Sequence, residues 1–456
     1  MIKVELLAHT EADPLELISH AALTCYQSEV PEMGKIIDVK NRLFDVGHHT
    51  TLQHWSASFS ISGIAVGDVT FGLHLCHPFY DTDQRSGRFC AEMFLNPNFE
   101  EMERYIRDFW PEVKEEKIRE IMAYVKKGFG IYQKNICQVG IMAKRFLKEE
   151  RPFISDKMLE SIYLKIAQEQ LRMFIPVIFP TALDFTVNLS TLSAMYRAAW
   201  SPAMRSITQK MADLICVRYP EIGFMFNSAA RRWDDWGVDF KRFSVPGLEY
   251  EPVLELLELE GETSFRIPSP EAMHPLDLLH FSPEMMENAT GSILTRIEIS
   301  LATMGQDQRH RTISRSQPAF TGKFYLPPVL RQVDGLEESA NELLKLWMSF
   351  QEDLPVSLFS VLAPYGAMVE YRKRGNFNAV SHEQGKRLCW CAQEEIYFLA
   401  VKLRRAILEK YGRISLLDSL EPPCFKTGLC GEGKRYCGRD IRARKKGEEY
   451  FPERKV

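Results

Sequence analysis

A polar and basic segment in the second half of the chain offers the best candidate binding site. Residues 305–325 read GQDQRHRTISRSQPAFTGKFY and combine Arg309, His310, Arg311 and Lys323 with several hydroxyl and amide side chains. Guanidinium groups donate forked hydrogen bonds to phosphate or carbonyl oxygens and stack on planar rings. The segment therefore predicts a nucleotide ligand, and a solvated basic loop or a patch of structural ion pairs is the alternative.

A second, altered copy of this segment lies in the first half of the chain. Residues 76–90 read CHPFYDTDQRSGRFC and repeat the order of His, polar loop, Gly, basic residue and aromatic residue, so that His77 matches His310. A similar motif precedes both histidines and contains His48 in the first half and His280 in the second. The interval from His48 to His77 is nearly the same as the interval from His280 to His310. The repetition predicts an internal duplication with a long period.

Composition narrows the class of protein. A length of 456 residues favours two or three domains, and the net charge of −4 gives no general attraction to nucleic acid. The chain shows neither a targeting signal nor an apolar run of the roughly 20 residues that a membrane span needs. We therefore expect a cytoplasmic protein without membrane or nucleic-acid partners, and its 10 cysteines fit reduced thiols.

The cysteines near the C-terminus raise the question of a metal. Cys424, Cys430 and Cys437 lie among glycines and prolines, and Cys389 or Cys391 could supply a fourth ligand from a distance. Their gaps of five and six residues are longer than those of compact zinc sites. Zinc binding by this group therefore stays open, and no metal is predicted for the main site.

The surrounding elements are predicted to be strands that lead into the His-containing loops, together with long helices. SASFSISG and GSILTRIEISLA have the β-branched and apolar pattern of strands. Helical spacing covers residues 112–149, 156–174, 193–217 and 384–411, and residues 231–252 form the candidate junction between the halves. One unbroken helix over 384–411 would place Arg387, Cys391 and Glu395 on a single face.

These motifs together resemble the flavin-dependent thymidylate synthases. The first half matches through GHHTTLQH, the SGRF of residues 86–89, EQLRMFIP and FTVNLSTL, and the second half through QDQRHRTIS and the AQEEI of residues 392–396. The Arg-His-Arg loop is the family's most specific signature. The copies have diverged, because Cys76 and Pro78 replace the arginines around His77, Ser360 stands where a counterpart of Arg172 is expected, and Ala199 stands where one of Arg387 is expected.

The resemblance implies an α+β fold with two related domains, each an antiparallel-rich sheet packed with long helices. The expected limits are residues 1–235 for the first domain, which has the degenerate loop, 236–420 for the second, which has the intact loop, and 421–456 for a basic tail with cysteines. Because the family forms homotetramers with sites built from several subunits, a fused pair is expected to form a homodimer with the same arrangement.

The resemblance also implies the reaction, which is reductive methylation of dUMP to dTMP with FAD, methylenetetrahydrofolate and NADPH. The alternatives are a flavoenzyme acting on another pyrimidine nucleotide and a noncatalytic flavin- or nucleotide-binding homologue. Composite sites are expected, with the Arg309 loop facing Arg172 and Asn188. The catalytic residues would be Arg309 and Arg311; the substrate-binding residues would be Gln306, Arg172, Arg387, Ser86, Arg88 and Lys323; and the cofactor-binding residues would be His310, Ser314, His48, Thr50, Asn188, Asn376, His280 and Ser282.

Overall fold

The structure is a computed structural model. It describes residues 2–74, 79–87, 90, 92–231, 238–240, 246–261, 283–431, 433, 436–441 and 451–456. Six residues singled out from the sequence, Cys76, His77, Pro78, Arg88, His280 and Ser282, lie outside the described residues.

The first half contains a sheet of four antiparallel strands. The strands are β1 (Lys3–His9), β2 (Ser56–Ala65), β3 (Tyr80–Gln84) and β4 (Pro180–Asn188). Their spatial order is β1-β2-β4-β3. Along β2, the residues Ala57, Phe59 and Ile61 are buried and alternate with half-buried serines, which is the period-two pattern of a strand with one face on the core.

Helices surround this first sheet. They are α1 (Pro14–Thr24), α2 (Val66–Asp68), α3 (Glu92–Leu95), α4 (Phe99–Phe109), α5 (Glu115–Glu150), α6 (Asp156–Leu171), α7 (Leu189–Arg197) and α8 (Pro202–Cys216). Ser155, Asn188 and Ser201 cap the helices α6, α7 and α8, because each side-chain oxygen accepts a backbone N–H of the first turn. Short π-helical segments span Lys40–Phe44 and Val69–Leu73, and 3₁₀ turns span Thr50–His54, Arg172–Phe174, Pro220–Phe226 and Ser228–Ala230.

The second half repeats the order of the first sheet. Its strands are β5 (Asp239–Phe240), β6 (Gly247–Glu249), β7 (Val253–Glu260), β8 (Ser292–Ser300), β9 (Ser314–Arg315), β10 (Ala319–Tyr325) and β11 (Ala367–Asn376). The antiparallel order β7-β8-β11-β10 corresponds to β1-β2-β4-β3, while β5 and β6 pair with β10 in parallel and β9 pairs with β11. The same strand order recurs in both halves, as a duplication requires.

The helices of the second half also follow the first half in their positions along the chain. They are α9 (Pro283–Thr290), α10 (Leu301–Asp307), α11 (Leu336–Met348), α12 (Val356–Val361), α13 (Phe377–Arg387), α14 (Glu394–Tyr411), α15 (Leu416–Ser419) and α16 (Pro423–Thr427), and a 3₁₀ turn spans Leu330–Gln332. Helix α13 follows β11 as α7 follows β4. The cap is an asparagine in both cases, Asn376 and Asn188.

The halves meet around two prolines in equivalent positions. Pro176 and Pro364 form an isolated antiparallel bridge. The backbone N–H of Val177 donates to the carbonyl of Ala363 at 2.9 Å, and that of Tyr365 donates to the carbonyl of Ile175 at 2.9 Å. This reciprocal pair is what a local two-fold relation produces. One hydrophobic cluster contains buried side chains from both sheets, so the halves share a core.

The structure confirms the predicted fold class and the helices near 112–149 and 156–174. The prediction of continuous helices over 193–217 and 384–411 is wrong, because each is two helices separated by a short connection. In the second connection, the carbonyl oxygens of Trp390 and Ala392 accept hydrogen bonds from the guanidiniums of Arg151 and Arg454 rather than from a helix. The predicted shared face of Arg387, Cys391 and Glu395 therefore does not form.

The three proposed domain limits stay a prediction. Part of the 421–456 segment packs on the second half, since Arg439 lies over the rings of Trp390 and Phe425 and is buried. No helix of the described residues is both long and apolar enough to cross a membrane.

Candidate active site

The Arg-His-Arg segment is positioned by the short helix α10. The Ser300 side chain caps this helix by accepting the backbone N–H of Thr303 at 3.2 Å. The buried carboxylate of Glu395 accepts hydrogen bonds from the Ser300 backbone N–H at 2.7 Å, from the Ser300 hydroxyl at 2.5 Å and from the Thr303 hydroxyl at 2.6 Å. Burial raises the pKa of Glu395 to about 6, and these hydrogen bonds act against that rise. Glu395 thus fixes the start of the helix that carries the loop.

A buried ion cluster fixes the end of the same helix. The Asp307 carboxylate accepts hydrogen bonds from Arg315 Nε at 2.5 Å, Lys373 Nζ at 2.6 Å and the Tyr371 hydroxyl at 2.8 Å, and its side chain is fully buried. Arg315 also donates to the carbonyl oxygens of Ile313, at 2.8 Å, and His310, at 3.1 Å. The two cations hold the pKa of Asp307 well below its usual range, although burial opposes them. This cluster sets the path of the backbone through the Arg-His-Arg segment.

A cleft lies where this loop faces the first half of the chain. It encloses about 540 Å³. The first half contributes Val66, Thr70, Gln84, Arg85, Ser86, Gly87 and Arg172, and the second half contributes Ala302, Gly305, Gln306, Arg309 and Tyr365. Four predicted site residues, Ser86, Arg172, Gln306 and Arg309, therefore line one cleft within a single chain.

Arg172 lies deep in this cleft. It begins the 3₁₀ turn Arg172–Phe174, four residues before the Pro176 bridge, and is buried. Its guanidinium lies over the Tyr365 ring, with 5.1 Å from Cζ to the centroid, and Nη2 donates to Gln393 Oε1 at 3.0 Å. A side chain at Gly87 would place its Cβ 3.3 Å from Arg172 Nη1, so the 84–87 loop packs closely on the guanidinium. The fixed position leaves this cation at the wall of the cleft.

Gln393 links the two halves of the site. Its Oε1 accepts hydrogen bonds from both Arg172 and Gln306 Nε2, and its side chain is fully buried. Gln306 Oε1 and Gln393 Nε2 are buried without a hydrogen-bond partner among the described residues. Sequence reasoning missed Gln393 as a site residue, although it lies within the AQEEI motif. An acceptor and a donor left unpaired beside arginines suit a ligand with both carbonyl and N–H groups.

The two arginines of the Arg-His-Arg motif contact different neighbours. Arg309 is exposed in the cleft, and its Nη1 donates to the Thr82 carbonyl at 3.5 Å. Arg311 lies over the Tyr80 ring and donates to the Tyr80 carbonyl and, at 3.0 Å, to Asp81. Arg311 thus holds the loop against β3, and only Arg309 of the two predicted catalytic arginines lines the cleft.

His310 and Arg387 lie together on the other side of the loop. The imidazole of His310 packs edge-on against that of His382, with 5.5 Å between centroids. Burial, followed by the neighbouring Arg387 and Lys373 charges, lowers the pKa of His310 to about 2, so the imidazole is neutral. Arg387 Nη2 donates to the carbonyl of Gln306. Arg387 thus supports the backbone of a cleft residue without lining the cleft itself.

The other predicted site residues lie away from the cleft. Lys323 pairs with Glu249 at 2.8 Å and Glu298 at 3.4 Å, and Ser314 is exposed on β9. Asn188 and Asn376 are helix caps, each accepting a backbone N–H through Oδ1. His48 and Thr50 are exposed at the start of the Thr50–His54 turn. The structure therefore does not gather the predicted cofactor-binding residues into the cleft.

Five cysteines line a small pocket beside the C-terminal segment. They are Cys389, Cys391, Cys424, Cys430 and Cys437, and all are free thiols. Burial raises the pKa of Cys424 to about 12, which favours the neutral thiol. Within the described ranges, no group of three or more His, Cys, Asp or Glu side chains has an arrangement that could hold a metal ion.

One family model and two solved structures are similar to parts of this chain. The family model of the thymidylate synthase complementing protein, Thy1, matches residues 5–221. Thymidylate synthase X from Helicobacter pylori with FAD and dUMP is 18% identical, with 51% of this chain and 100% of that chain covered and a TM-score of 0.33. A flavin-dependent thymidylate synthase from Helicobacter pylori complexed with FAD and dUMP is 19% identical, with 49% and 98% covered and a TM-score of 0.33. No curated protein matches the chain.

The family match covers β1 to β4 and the helices α1 to α8, and so includes Ser86 and Arg172 of the cleft. It ends before the intact Arg-His-Arg loop, which faces those two residues from the second half. The model of the thymidylate synthase complementing protein family thus matches the first half of the chain, at residues 5–221, and the resemblance predicted from the motifs is confirmed over that part.

Proposed function

We propose that the chain is an FAD-dependent thymidylate synthase that methylates dUMP to dTMP with methylenetetrahydrofolate and NADPH. The observation that carries the proposal is the cleft in which Arg309 and Gln306 of the intact loop face Arg172 and Ser86 of the matched family domain. The solved Helicobacter pylori proteins with this activity in their names contain FAD and dUMP.

The cleft residues suit a pyrimidine nucleotide. Arg172 and Arg309 supply positive charge for a phosphate or for negative charge that develops on the base. Gln306 lines the cleft, and its unpaired Oε1 can accept an imide N–H. Bound FAD and the folate would supply the hydride and the one-carbon unit. The role of the chain is to hold the base, neutralise its charge and orient it.

The segment around His48 and Thr50 suits a flat ligand or a second subunit. Five large apolar side chains are exposed in the segment 26–46, which precedes these polar residues in sequence: Tyr26, Val30, Met33, Ile36 and Val46. Exposed apolar side chains that form one continuous patch mark a surface that another molecule covers. We propose that two copies of the chain form a homodimer here and that His48 and Thr50 contact the flavin at this surface.

Only one cleft of this kind is expected in each chain. Ser360 lies four residues before Pro364, as Arg172 lies four residues before Pro176. Ser360 is fully buried, and its hydroxyl donates to the Val356 carbonyl at 2.7 Å. The equivalent place in the second half therefore has no cation. We propose that duplication left a single competent site, which lies between the two domains of residues 1–235 and 236–420.

The proposal is tested with purified protein and three variants. Wild-type protein loaded with FAD should oxidise NADPH and form dTMP only when dUMP and methylenetetrahydrofolate are both present. Arg309→Gln and Arg172→Gln should each lower kcat/KM by about 30- to 150-fold, the equivalent of about 2–3 kcal/mol. Arg374→Gln is the matched control, because Arg374 is exposed and pairs with Glu258 away from the cleft.

Mixing the variants tests whether one chain supplies both arginines. Arg309 and Arg172 line the same cleft of one chain, so a mixture of the two single variants should not regain activity. Recovery on mixing would show that the residues act across chains and would contradict the cleft. Formation of dTMP at wild-type rate by both single variants would contradict their roles.

A further inference from the structure

A second cavity lies behind the connection that holds Gln393. It encloses about 1130 Å³, roughly twice the volume of the cleft. Helix α6 forms an apolar wall with Met158, Ile162 and Ile166. The connection between α13 and α14 contributes Trp390, Cys391 and Ala392, and α14 contributes its first residue, Glu394. Gln393 accepts hydrogen bonds from Arg172 and Gln306 of the cleft, whereas its two neighbours line this cavity. None of the residues in the proposed nucleotide cleft lines it.

Unpaired polar atoms are concentrated on the residues that line this cavity. Arg151 Nε, Arg454 Nε and Nη1, and Glu394 Oε1 are buried and have no hydrogen-bond partner among the described residues. These three residues are exposed by only 3%, 3% and 2%. Leaving a buried polar atom unpaired costs about 1–3 kcal/mol, and native proteins satisfy most such atoms. Four of them on residues that line one cavity indicate that a bound molecule completes the set.

The cavity is lined by the cations Arg151, Lys165 and Arg454 and by the carboxyl groups of Glu169 and Glu394, and its two arginines favour an anion. Each of the two guanidiniums has one hydrogen bond, and in both cases the acceptor is a backbone carbonyl: Arg151 donates to Trp390 at 3.0 Å, and Arg454 donates to Ala392. Neither forms an ion pair within the described part of the chain. Burial and the adjacent Glu169 raise the pKa of Glu394 to about 8, so this carboxyl is neutral at pH 7 and can donate a hydrogen bond.

The shape and lining of the cavity favour a planar ring. The Trp390 ring and the aliphatic side chains of α6 offer flat and apolar surfaces, whereas the arginines lie near the backbone of the connection. Pockets for small organic ligands combine such apolar walls with a few convergent polar groups. Two arginines are also the most suitable protein groups for a carboxylate or phosphate.

We propose that this cavity is a second ligand site, which binds an aromatic or heteroaromatic molecule bearing a carboxylate or phosphate through Arg151 and Arg454. The ring packs on Trp390 and the apolar wall of α6. Glu394 donates to a polar edge of the ring or to the oxyanion. The site is separate from the nucleotide cleft, and the 388–393 connection lies between the two.

Binding of simple probes tests the site without any assay of thymidylate synthesis. Phenyl phosphate and benzoate are titrated into the full-length chain by calorimetry, with phenol as the neutral analogue. At least one anion should bind about tenfold more tightly than phenol, because charge-assisted hydrogen bonds to arginine are strong. The tighter of the two anions identifies the preferred oxyanion. Equal affinity of phenol and both anions, or no binding heat with any probe, would overturn the proposal in favour of a water-filled cavity.

Variants place the probe in this cavity. Arg454→Gln should weaken binding of the anion at least about tenfold. Arg145→Gln, on an exposed face of the neighbouring helix α5, should leave the affinity unchanged. If Arg454→Gln does not fold, Trp390→Phe provides the second measurement, because quenching of tryptophan fluorescence by the probe should be lost in that variant. Unchanged affinity in Arg454→Gln, or unchanged quenching in Trp390→Phe, would contradict the assignment.

Discussion

Replacement of Asp307 by Asn should destabilise the whole protein and distort the Arg-His-Arg loop. Asp307 is the buried anion between Arg315 and Lys373, at 2.5 and 2.6 Å. Asparagine keeps the size of the side chain but removes the charge and places an amide donor beside other donors. Removing one partner of a buried ion pair costs about 3–5 kcal/mol, because the remaining charge stays buried without compensation. Lys373 keeps Glu383 at 2.7 Å, so Arg315 bears most of the loss.

The assay is urea unfolding at pH 7, followed by far-UV circular dichroism. Asp353→Asn is the control, because Asp353 pairs with Lys117 at a similar distance of 2.8 Å but is 52% exposed. Exposed pairs contribute about 0–1 kcal/mol, so the control should remain close to wild type. A loss of less than about 1 kcal/mol in Asp307→Asn, or equal losses in both variants, would refute the claim that burial of this cluster stabilises the loop.

The pH dependence gives a second check of the same cluster. The pKa of Asp307 is depressed in the folded state, so its contribution is fully present above the unfolded value near 3.9 and is lost as the pH falls towards the folded value. The difference in unfolding free energy between wild type and Asp307→Asn should therefore be constant from pH 5 to 7 and shrink below about pH 4. A constant difference down to pH 3 would contradict this assignment.

Two further predictions concern helix packing and the second cavity. Gly128→Ala would place a Cβ 2.4 Å from the Phe174 carbonyl oxygen and should destabilise the protein by more than about 1 kcal/mol. Gly130 lies in the same helix with open space around it, so Gly130→Ala should stabilise the protein by about 0.5–1 kcal/mol. Thermal melts of both variants test this, and equal shifts in Tm would contradict the packing. The raised pKa of Glu394 adds stability that is fully present below the unfolded pKa near 4.3 and is lost as the pH rises through the folded pKa of about 8. Between pH 5 and 8, the unfolding free energy of the wild type should therefore fall more steeply than that of Glu394→Gln, by up to about 1.4 kcal/mol per pH unit. Parallel curves for the two proteins would contradict this.

Sequence reasoning reached the fold class, the strands that flank the His-containing loops and the long helices α5 and α6. These features depend on local periodicity, which side-chain burial on one face of a strand or helix imposes on the sequence. Sequence reasoning did not predict the interruptions of the helical chain before α8 and before α14. The second break, at residues 388–393, is stabilised by Arg151 and Arg454, and such long-range contacts leave no local periodic signal.

Motif order and residue type are local properties, so the two related copies and the intact Arg-His-Arg loop of one of them can be predicted from the residues alone. The position of Arg309 and Arg172 in one cleft, with Lys323, Asn188 and Asn376 elsewhere, depends instead on how the chain folds. The tertiary structure also disclosed Gln393 between the two halves. Which distant side chains meet depends on how the two sheets pack around Pro176 and Pro364. The spacing of residues along the chain does not determine this packing.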